Sequence, residues 1–388
     1  MKFKRRKKSI IVVGLVGFNL GDEAIALAVL KRLRNCAEIK VVSFRKDSIS
    51  KYGYRELYFS PRSLKAWMLL FLSIVNADVV LVGGGSLVQD KLGGSFSSGI
   101  LGYLNLVTLV GWVFRKLLVS LPIGVDDLSA RNYSLANSIL SRFDYLFVRD
   151  ERSRLNALAF SGGLIDPAVV PDPVFDKHHE LWSESSIACA DMPIDSSSPY
   201  ICVALAKENT LRENSLLVHE IVQCIEGWLG SGYKVLLLSM DSRNGDEIAI
   251  YQNITSLISS RGGQVEGMLA MYTPPDVDCA VRCIRSASFM LAMRLHAMII
   301  GYSYVSMFCL SRTTKTHAFC EEYGVGFVDI DALQSLPPAV LSDLTLGDFS
   351  KLSNNANCKI LVSKQELLNK YFDFLVSLLE RGESLDSH

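Results

Sequence analysis

Short apolar segments alternate with helical patterns along most of this chain of 388 residues, and no other feature constrains its fold as strongly. In the first half the predicted strands are 10–16, 39–44, 78–82, 117–121, 145–149 and 169–170. In the second half they are 200–206, 234–239, 289–292 and 305–309. Apolar strands separated by helices are typical of parallel sheets. The pattern predicts an α/β fold with two Rossmann-like, doubly wound domains facing a cleft, with ligands at the carboxyl ends of the strands.

The segment 176–199 interrupts this pattern with charged and serine-rich sequence that ends in Ser-Ser-Ser-Pro, which is typical of a linker. The chain is also longer than a single core usually supports. The predicted domains are therefore residues 1–175 and 200–388. An amphipathic helix over 364–381 completes the second domain and can pack across the junction between the two.

Composition and charge exclude several classes of protein. Forty basic residues against forty acidic residues leave no net charge, which argues against a nucleic-acid partner. Nine scattered cysteines include no Cys-x-x-Cys pair, so we expect no metal site and reduced thiols in the cytoplasm. Basic residues before the apolar segment 10–17 imitate a signal peptide, but no cleavage site with small residues follows, so a buried first strand is favoured.

The segment 99–114 is the most apolar helix candidate, and Arg115 and Lys116 follow it directly. It is short for a membrane span and contains Asn105, so a buried helix is favoured over insertion. Peripheral contact with a membrane or with a lipid-linked substrate stays open.

A glycine-rich segment at 14–24 follows the first predicted strand and opens a helix. Its glycines allow close approach of a ligand, and free amides at a helix start attract anions. Asn19, Gly21 and Asp22 are the candidate binding residues here. A plain turn with Asp22 as the helix N-cap is an equally good interpretation.

Three consecutive glycines, Gly83, Gly84 and Gly85, follow the strand over 78–82. Each one costs backbone entropy, so a simple turn rarely carries all three, and a functional interpretation is favoured. The glycines would let a substrate approach the backbone, with Gln89 and Asp90 projecting into the cleft.

Cationic side chains follow several of the other predicted strands. Arg149 ends a strand, where its guanidinium can bind a carboxylate or phosphate, although a surface Arg–Asp pair is the alternative. Arg294 and His296 begin a helix two residues apart, which places a fixed cation beside a group that titrates near neutrality. Lys315 lies in a further cationic turn, for which a solvated loop is the other interpretation.

In this order, the segments resemble the polysaccharide pyruvyl transferase family. Gly-Phe-Asn-Leu-Gly-Asp-Glu-Ala at 17–24, Gly-Gly-Gly-Ser-Leu-Val-Gln-Asp at 83–90 and Val-Arg-Asp-Glu-Arg-Ser at 148–153 are similar to three of its motifs. Val-Pro-Asp-Pro-Val-Phe at 170–175 and Met-Arg-Leu-His-Ala at 293–297 are similar to two more, so that the resemblance spans about 10–326. One segment differs from the pattern of the family. Residues 121–127 are Leu-Pro-Ile-Gly-Val-Asp-Asp, where the family usually has Gly-x-Gly-x-Gly-Pro.

The resemblance implies a GT-B-like fold and the transfer of pyruvate from phosphoenolpyruvate to two hydroxyls of a sugar, forming a cyclic ketal. The sugar would belong to a cell-surface polysaccharide or its precursor. If this acceptor is lipid-linked, the protein would work at the inner face of the membrane. No metal is required, and there is no cofactor, because phosphoenolpyruvate is the donor substrate.

The residues suit this chemistry. Arg149 and Arg294 would bind the carboxylate and phosphate of the donor. His296 is the candidate general acid, and Asp90, with His296 as the alternative, is the candidate base. Phosphate would leave towards Arg294, Lys315 or a helix N-terminus.

Two other functions stay open. A sugar-nucleotide glycosyltransferase of similar fold would need a ribose-binding glutamate late in the second domain, where Glu321 and Glu322 are present. A non-catalytic relative that binds a glycan is suggested by the altered 121–127 segment.

Overall fold

The computed structural model describes residues 7–14, 16–17, 19–90, 99–176, 192–194, 198–206, 211, 215–241, 245–263, 266–311, 313–330 and 358–381. The chain divides into two compact units. Unit 1 comprises Met1–Phe18, Asp22–His179 and Ser363–His388, and unit 2 comprises Asn19–Gly21 and Glu180–Val362. Most of the predicted linker, at 177–191 and 195–197, lies outside the described residues.

Unit 1 is built on a parallel sheet of Rossmann type. Its strands are β1 (Lys8–Val13), β2 (Ala37–Ser43), β3 (Arg55–Tyr58), β4 (Val79–Val82), β5 (Ser86–Val88), β6 (Leu117–Ser120), β7 (Gly124–Val125), β8 (Phe147–Val148) and β9 (Ala168–Val169). Five of them form one sheet in the order β3-β2-β1-β4-β6, all parallel. Two short parallel pairs, β5 with β7 and β8 with β9, extend beyond the carboxyl ends of this sheet.

The helices of unit 1 cover the strands. They are α1 (Leu20–Leu33), α2 (Leu64–Asn76), α3 (Gly99–Val113), α4 (Tyr133–Leu140) and α5 (Glu151–Phe160). Helix α2 begins where Ser63 Oγ accepts a hydrogen bond from Ala66 N, 3.2 Å away, and α5 begins in the same way at Asp150. Side-chain oxygens at these positions satisfy amides that have no partner inside the helix.

Unit 2 repeats the architecture with a longer sheet. Its strands are β10 (Tyr200–Ala204), β11 (Lys234–Leu238), β12 (Leu269–Tyr272), β13 (Phe289–Ala292), β14 (Met307–Ser311) and β15 (Gly326–Asp329). Its helices are α6 (Ser215–Gly230), α7 (Asp246–Ser260), α8 (Val277–Arg285), α9 (Leu295–Gly301) and α10 (Thr314–Tyr323). The parallel order β12-β11-β10-β13-β14-β15 is that of a doubly wound fold, so the predicted fold class is confirmed.

The last helix, α11 (Cys358–Arg381), corrects one domain assignment. We expected it to complete the second domain, but from Ser363 onward it belongs to unit 1. Tyr371 Oη donates to Ser120 O over 3.2 Å, and Lys8 Nζ donates to Leu378 O over 3.0 Å. The Tyr371 ring packs edge-on against Phe147 at 4.8 Å. These aromatic contacts bury the apolar face of α11 against the strand ends of unit 1. The spacing of apolar residues predicts which face of this helix is buried, but not which of the two units covers it.

Helix α3 is the apolar segment that we predicted to be buried rather than inserted in a membrane. Most of its length is buried, and the Asn105 side chain accepts a hydrogen bond from Arg142 Nη1 over 2.7 Å. In the described part of the chain, no helix is long and apolar enough to cross a membrane.

Candidate functional site

The carboxyl ends of β1 and β4 in unit 1 meet through glycine. A Cβ on Gly14 would collide with the carbonyl oxygen of Gly83, and a Cβ on Gly83 would collide with Leu121. Gly83 N also donates to Val13 O over 2.9 Å. The first and second glycine segments therefore pack backbone against backbone, which explains why both are glycine.

The next two glycines turn the chain. Gly84 and Gly85 have φ values of 101° and 75°, in the left-handed region that favours glycine. A Cβ on Gly85 would lie 2.6 Å from Asp22 Oδ1, so the turn passes directly over the buried Asp22 carboxylate. The structure thus brings together residues that we predicted from two separate motifs.

Arg149 lies beneath this turn at the end of β8. Its side chain is only 6% exposed, and Nη2 donates to Ser86 Oγ over 2.8 Å while Nε faces Asp150 Oδ2 at 3.2 Å. A Cβ on Gly124 would come within 2.9 Å of the guanidinium carbon. The glycine that remains in the altered 121–127 segment is therefore the one that leaves room for Arg149.

Two carboxylates surround this cation. Asp150 Oδ1 accepts from Ser153 N over 2.7 Å at the start of α5. Asp172 is buried, and burial raises its pKa to about 6, although a hydrogen bond from Val174 N and the charge of Arg149 both act to lower it. A carboxyl group with this pKa changes its charge in the range in which enzymes operate.

Gln89 and Asp90 are held by their surroundings. The buried Gln89 donates from Nε2 to Ser86 O over 2.5 Å. Asp90 accepts from Ser129 N and from Asn132 Nδ2, both over 2.5 Å. Burial raises the pKa of Asp90, but these hydrogen bonds outweigh it, and the pKa is lower than usual. Both carboxylate oxygens are thus engaged, which weakens the case for Asp90 as a base.

Arg294 in unit 2 is held by acidic side chains that the sequence did not single out. It caps α9, and its Nε donates to Glu247 Oε1 over 2.6 Å, while Nη2 contacts the same oxygen and lies 3.7 Å from Asp241 Oδ2. The other oxygen of Glu247, Oε2, accepts from Ser239 Oγ and Met240 N, each over 2.9 Å. Burial lowers the pKa of Arg294, but Glu247 outweighs it and the pKa is raised. Glu247 therefore ties the loop after β11 to Arg294.

His296 is the second residue of α9, and it lies beside Gly21 of the first glycine-rich segment. A Cβ on Gly21 would collide with the His296 imidazole ring, so Gly21 is required for their contact. Leu20 N donates to Met240 O over 3.1 Å, which fixes the segment Asn19–Gly21 within unit 2. The structure thus joins the first predicted motif to the Arg294–His296 motif.

Lys315 begins α10 at the end of the neighbouring strand, β14. Thr313 and Thr316 form a capping box there, and Ser311 Oγ lies 3.0 Å from Thr316 Oγ1. Lys315 is half-buried in the first turn of this helix. The turn is therefore ordered by its threonines.

Sequence reasoning missed Ser86, Gly124, Asp241 and Glu247. Ser86 follows the triple glycine, and Gly124 lies in the 121–127 segment that differs from the family pattern. Their positions beside these motifs could have identified both. Asp241 and Glu247 follow a strand without any recognisable motif. Among the described residues, no group of three His, Cys, Asp or Glu is placed to hold a metal ion.

Proteins of known structure share this two-unit architecture. Anabaena HepE in complex with UDP-glucose is 12% identical over 95% of this chain and 100% of its own, with a TM-score of 0.60. S. aureus MnaA with UDP is 15% identical over 98% and 100% of the two chains, with a TM-score of 0.60. UDP-GlcNAc 2-epimerase from Neisseria meningitidis is 13% identical over 95% and 100%, with a TM-score of 0.58. The chain is therefore a GT-B-like α/β protein.

The family follows from the sequence match. The family model described as polysaccharide pyruvyl transferase matches residues 19–304, which is most of the chain. This protein belongs to the polysaccharide pyruvyl transferase family. A search of curated proteins finds no match.

Proposed function

We propose that this protein transfers pyruvate from phosphoenolpyruvate to two hydroxyls of a sugar in a cell-surface polysaccharide or its precursor, with release of phosphate. Membership of the family supports pyruvyl transfer. The free thiols of the described cysteines support a reducing compartment, the cytoplasm.

The observation that carries the proposal is the buried guanidinium of Arg149 beneath the triple-glycine turn. A planar cation at the carboxyl end of a parallel strand suits a carboxylate or phosphate, and the donor has both. The glycine backbone allows such a ligand to approach closely. We therefore assign Arg149 to donor binding, with Gly83, Gly84, Gly85 and Gln89 around it.

His296 is our candidate for proton transfer. Its protonated ring would give a proton to the methylene carbon of the donor, which creates an oxocarbenium centre at the neighbouring carbon. The neutral ring would then take the proton of the first attacking hydroxyl. The second hydroxyl would close the ketal as the C–O bond to phosphate breaks, and its proton would go to the departing phosphate. Both carboxylate oxygens of Asp90 already accept hydrogen bonds, and we therefore favour His296 over Asp90 as the base.

Arg294 and Lys315 are our candidates for the departing phosphate. Arg294 is held in place by Glu247, and a fixed cation needs little reorganisation when charge develops on a leaving group. Lys315, Asn19, Gly21 and Asp22 are assigned to substrate binding on their positions at strand and helix ends.

A sugar-nucleotide enzyme is the second candidate function. It is favoured by the bound UDP or UDP-sugar in the solved structures of similar fold. Sequence identities of 12–15% support a shared fold, but they do not support a shared ligand.

Phosphate release from phosphoenolpyruvate, measured with a panel of glycosides and lipid-linked sugars, tests the proposal. Arg149→Ala should raise the half-saturating donor concentration about ten- to a hundredfold, because hydrogen bonds to charged groups contribute about 1.5–3 kcal/mol. Arg152→Ala is the matched control, since this exposed arginine pairs with Asp127 at 2.6 Å on the surface. His296→Ala should abolish release. Equal donor affinity in both arginine variants, or binding of UDP-glucose in place of phosphoenolpyruvate, would contradict the proposal.

A further inference from the structure

Two neighbouring helices of unit 1 expose an unusual amount of apolar surface. Nine of the seventeen large hydrophobic side chains that are exposed in the described part of the chain lie on α2, on α3 or directly after α3. They are Leu64, Met68, Leu69, Phe71, Leu72, Leu106, Trp112, Val113 and Phe114, which we call the α2–α3 patch. A surface helix normally turns polar residues to solvent. The outer face of α2 is apolar instead, which is typical of a helix whose face is covered by a binding partner.

The patch is continuous across the two helices. On α2, Leu64 (87% exposed), Met68 (55%) and Phe71 follow one another at helical spacing along one face. At the end of α3, Trp112 is 60% exposed, and the Phe114 ring lies 5.5 Å from the Phe71 ring in an edge-on contact. One face therefore presents aliphatic side chains together with an exposed indole.

The charged side chains that flank the patch along the chain are basic. The acidic Asp78 and Asp144 lie close to the end of α3, where each accepts a hydrogen bond from a backbone amide, that of Ser9 and that of Leu118, over 2.7 Å. Segments 57–77 and 91–125 contain no Asp or Glu, whereas the chain as a whole has equal numbers of acidic and basic residues. Arg62 precedes α2, Lys65 lies in its first turn, and Arg115 and Lys116 follow α3. A local excess of positive charge beside an apolar face is complementary to anionic lipid rather than to a second copy of the same positive face.

Arg115 is presented in a constrained backbone geometry. Its φ is 50°, in the left-handed region, where a residue other than glycine is disfavoured by about 1–2 kcal/mol. Lys116 N donates to Gly111 O over 2.8 Å and closes this turn. An exposed arginine thus occupies a position suited to glycine, immediately after the exposed Trp112, Val113 and Phe114.

We propose that the α2–α3 patch docks unit 1 on the surface of an anionic phospholipid bilayer. Trp112, Val113, Phe114 and Leu64 enter the interfacial layer, and Arg62, Lys65, Arg115 and Lys116 contact lipid phosphates. Indole rings favour this layer because one end is apolar and the other donates a hydrogen bond. The inference rests on unit 1 alone and is independent of the reaction proposed above.

Co-sedimentation of the full chain with vesicles tests the docking. The wild type should bind vesicles of equal parts phosphatidylglycerol and phosphatidylcholine more tightly than pure phosphatidylcholine, by about fivefold for each basic side chain near the surface. Arg115→Gln should weaken binding about fivefold. Trp112→Ser with Val113→Ser should weaken it at least about tenfold, because each buried methylene contributes about fourfold.

The control replaces exposed leucines elsewhere in unit 1. Leu155→Ser with Leu164→Ser removes side chains that are 55% and 86% exposed, and binding should not change.

Vesicles with brominated acyl chains should quench part of the wild-type tryptophan emission, and Trp112→Phe should remove that quenching while binding persists. Equal binding of the Trp112 and Leu164 double variants would overturn the proposal. So would a dimer, seen by sedimentation without lipid, that Trp112→Ser with Val113→Ser dissociates. Loss of phosphate release with intact vesicle binding would count against the proposed function alone.

Discussion

Replacement of Glu247 by glutamine tests how unit 2 holds Arg294. The carboxylate is 1% exposed and contacts Arg294 through Oε1, while Oε2 accepts from Ser239 Oγ and Met240 N. Glutamine can keep the bonds of one oxygen, but it then turns its NH₂ group towards the guanidinium. The variant leaves a buried cation beside a donor, which is the situation in which breaking an ion pair is most destabilising.

The expected loss follows from this geometry. Breaking a buried pair typically destabilises a protein by about 3–5 kcal/mol. We expect the lower end, about 3 kcal/mol, because the Arg294 side chain is 25% exposed and Asp241 remains 3.7 Å away. For a unit of this size that corresponds to a fall of about 6–12 °C in Tm. Turnover should fall as well, since Arg294 loses its orientation.

The control is the same substitution in a surface pair of the same unit. Glu226 Oε2 lies 3.2 Å from Arg261 Nη1, and both side chains are about one-third exposed. Exposed pairs contribute about 0–1 kcal/mol, so Glu226→Gln should shift Tm by no more than about 4 °C. Thermal unfolding followed by circular dichroism measures both variants. If Glu247→Gln unfolds at the same temperature as Glu226→Gln, the assignment of Glu247 as the anchor of Arg294 is wrong.

Two further predictions concern a titration and a steric contact. Burial raises the pKa of Asp172 in the folded protein to about 6, from an ordinary value of 3.8, so its contribution to stability is complete below pH 3.8 and is lost as the pH rises through about 6. The free energy of unfolding of Asp172→Asn should therefore rise by about 3 kcal/mol relative to that of the wild type as the pH increases from 3.8 to 7. Urea unfolding at each pH measures this difference, and a difference that does not change with pH would refute the prediction. Gly21→Ala should displace the His296 ring and lower turnover about a hundredfold. Gly227→Ala, with no atom near its added Cβ, should leave turnover unchanged, and equal activity of the two would show that the contact has no role.

The predicted strands all overlap observed strands, because each has a continuous apolar run that a buried parallel strand requires. The strands that sequence reasoning missed include β3, β12 and β15, which lie at sheet edges. Edge strands are only partly buried, and β3 reads Arg-Glu-Leu-Tyr, so the apolar signal is absent there.

The α/β class and the division into two units are predicted from the sequence alone, and so are the candidate site segments, because local patterns of apolar residues and glycines indicate burial and turns directly. Only the tertiary structure decided that Asp22 meets Gly85, that Gly21 meets His296, and that Glu247 holds Arg294. It also assigned α11 to unit 1. Each of these contacts joins elements distant in sequence, and a pattern along the chain specifies which face of an element is buried but not which partner covers it.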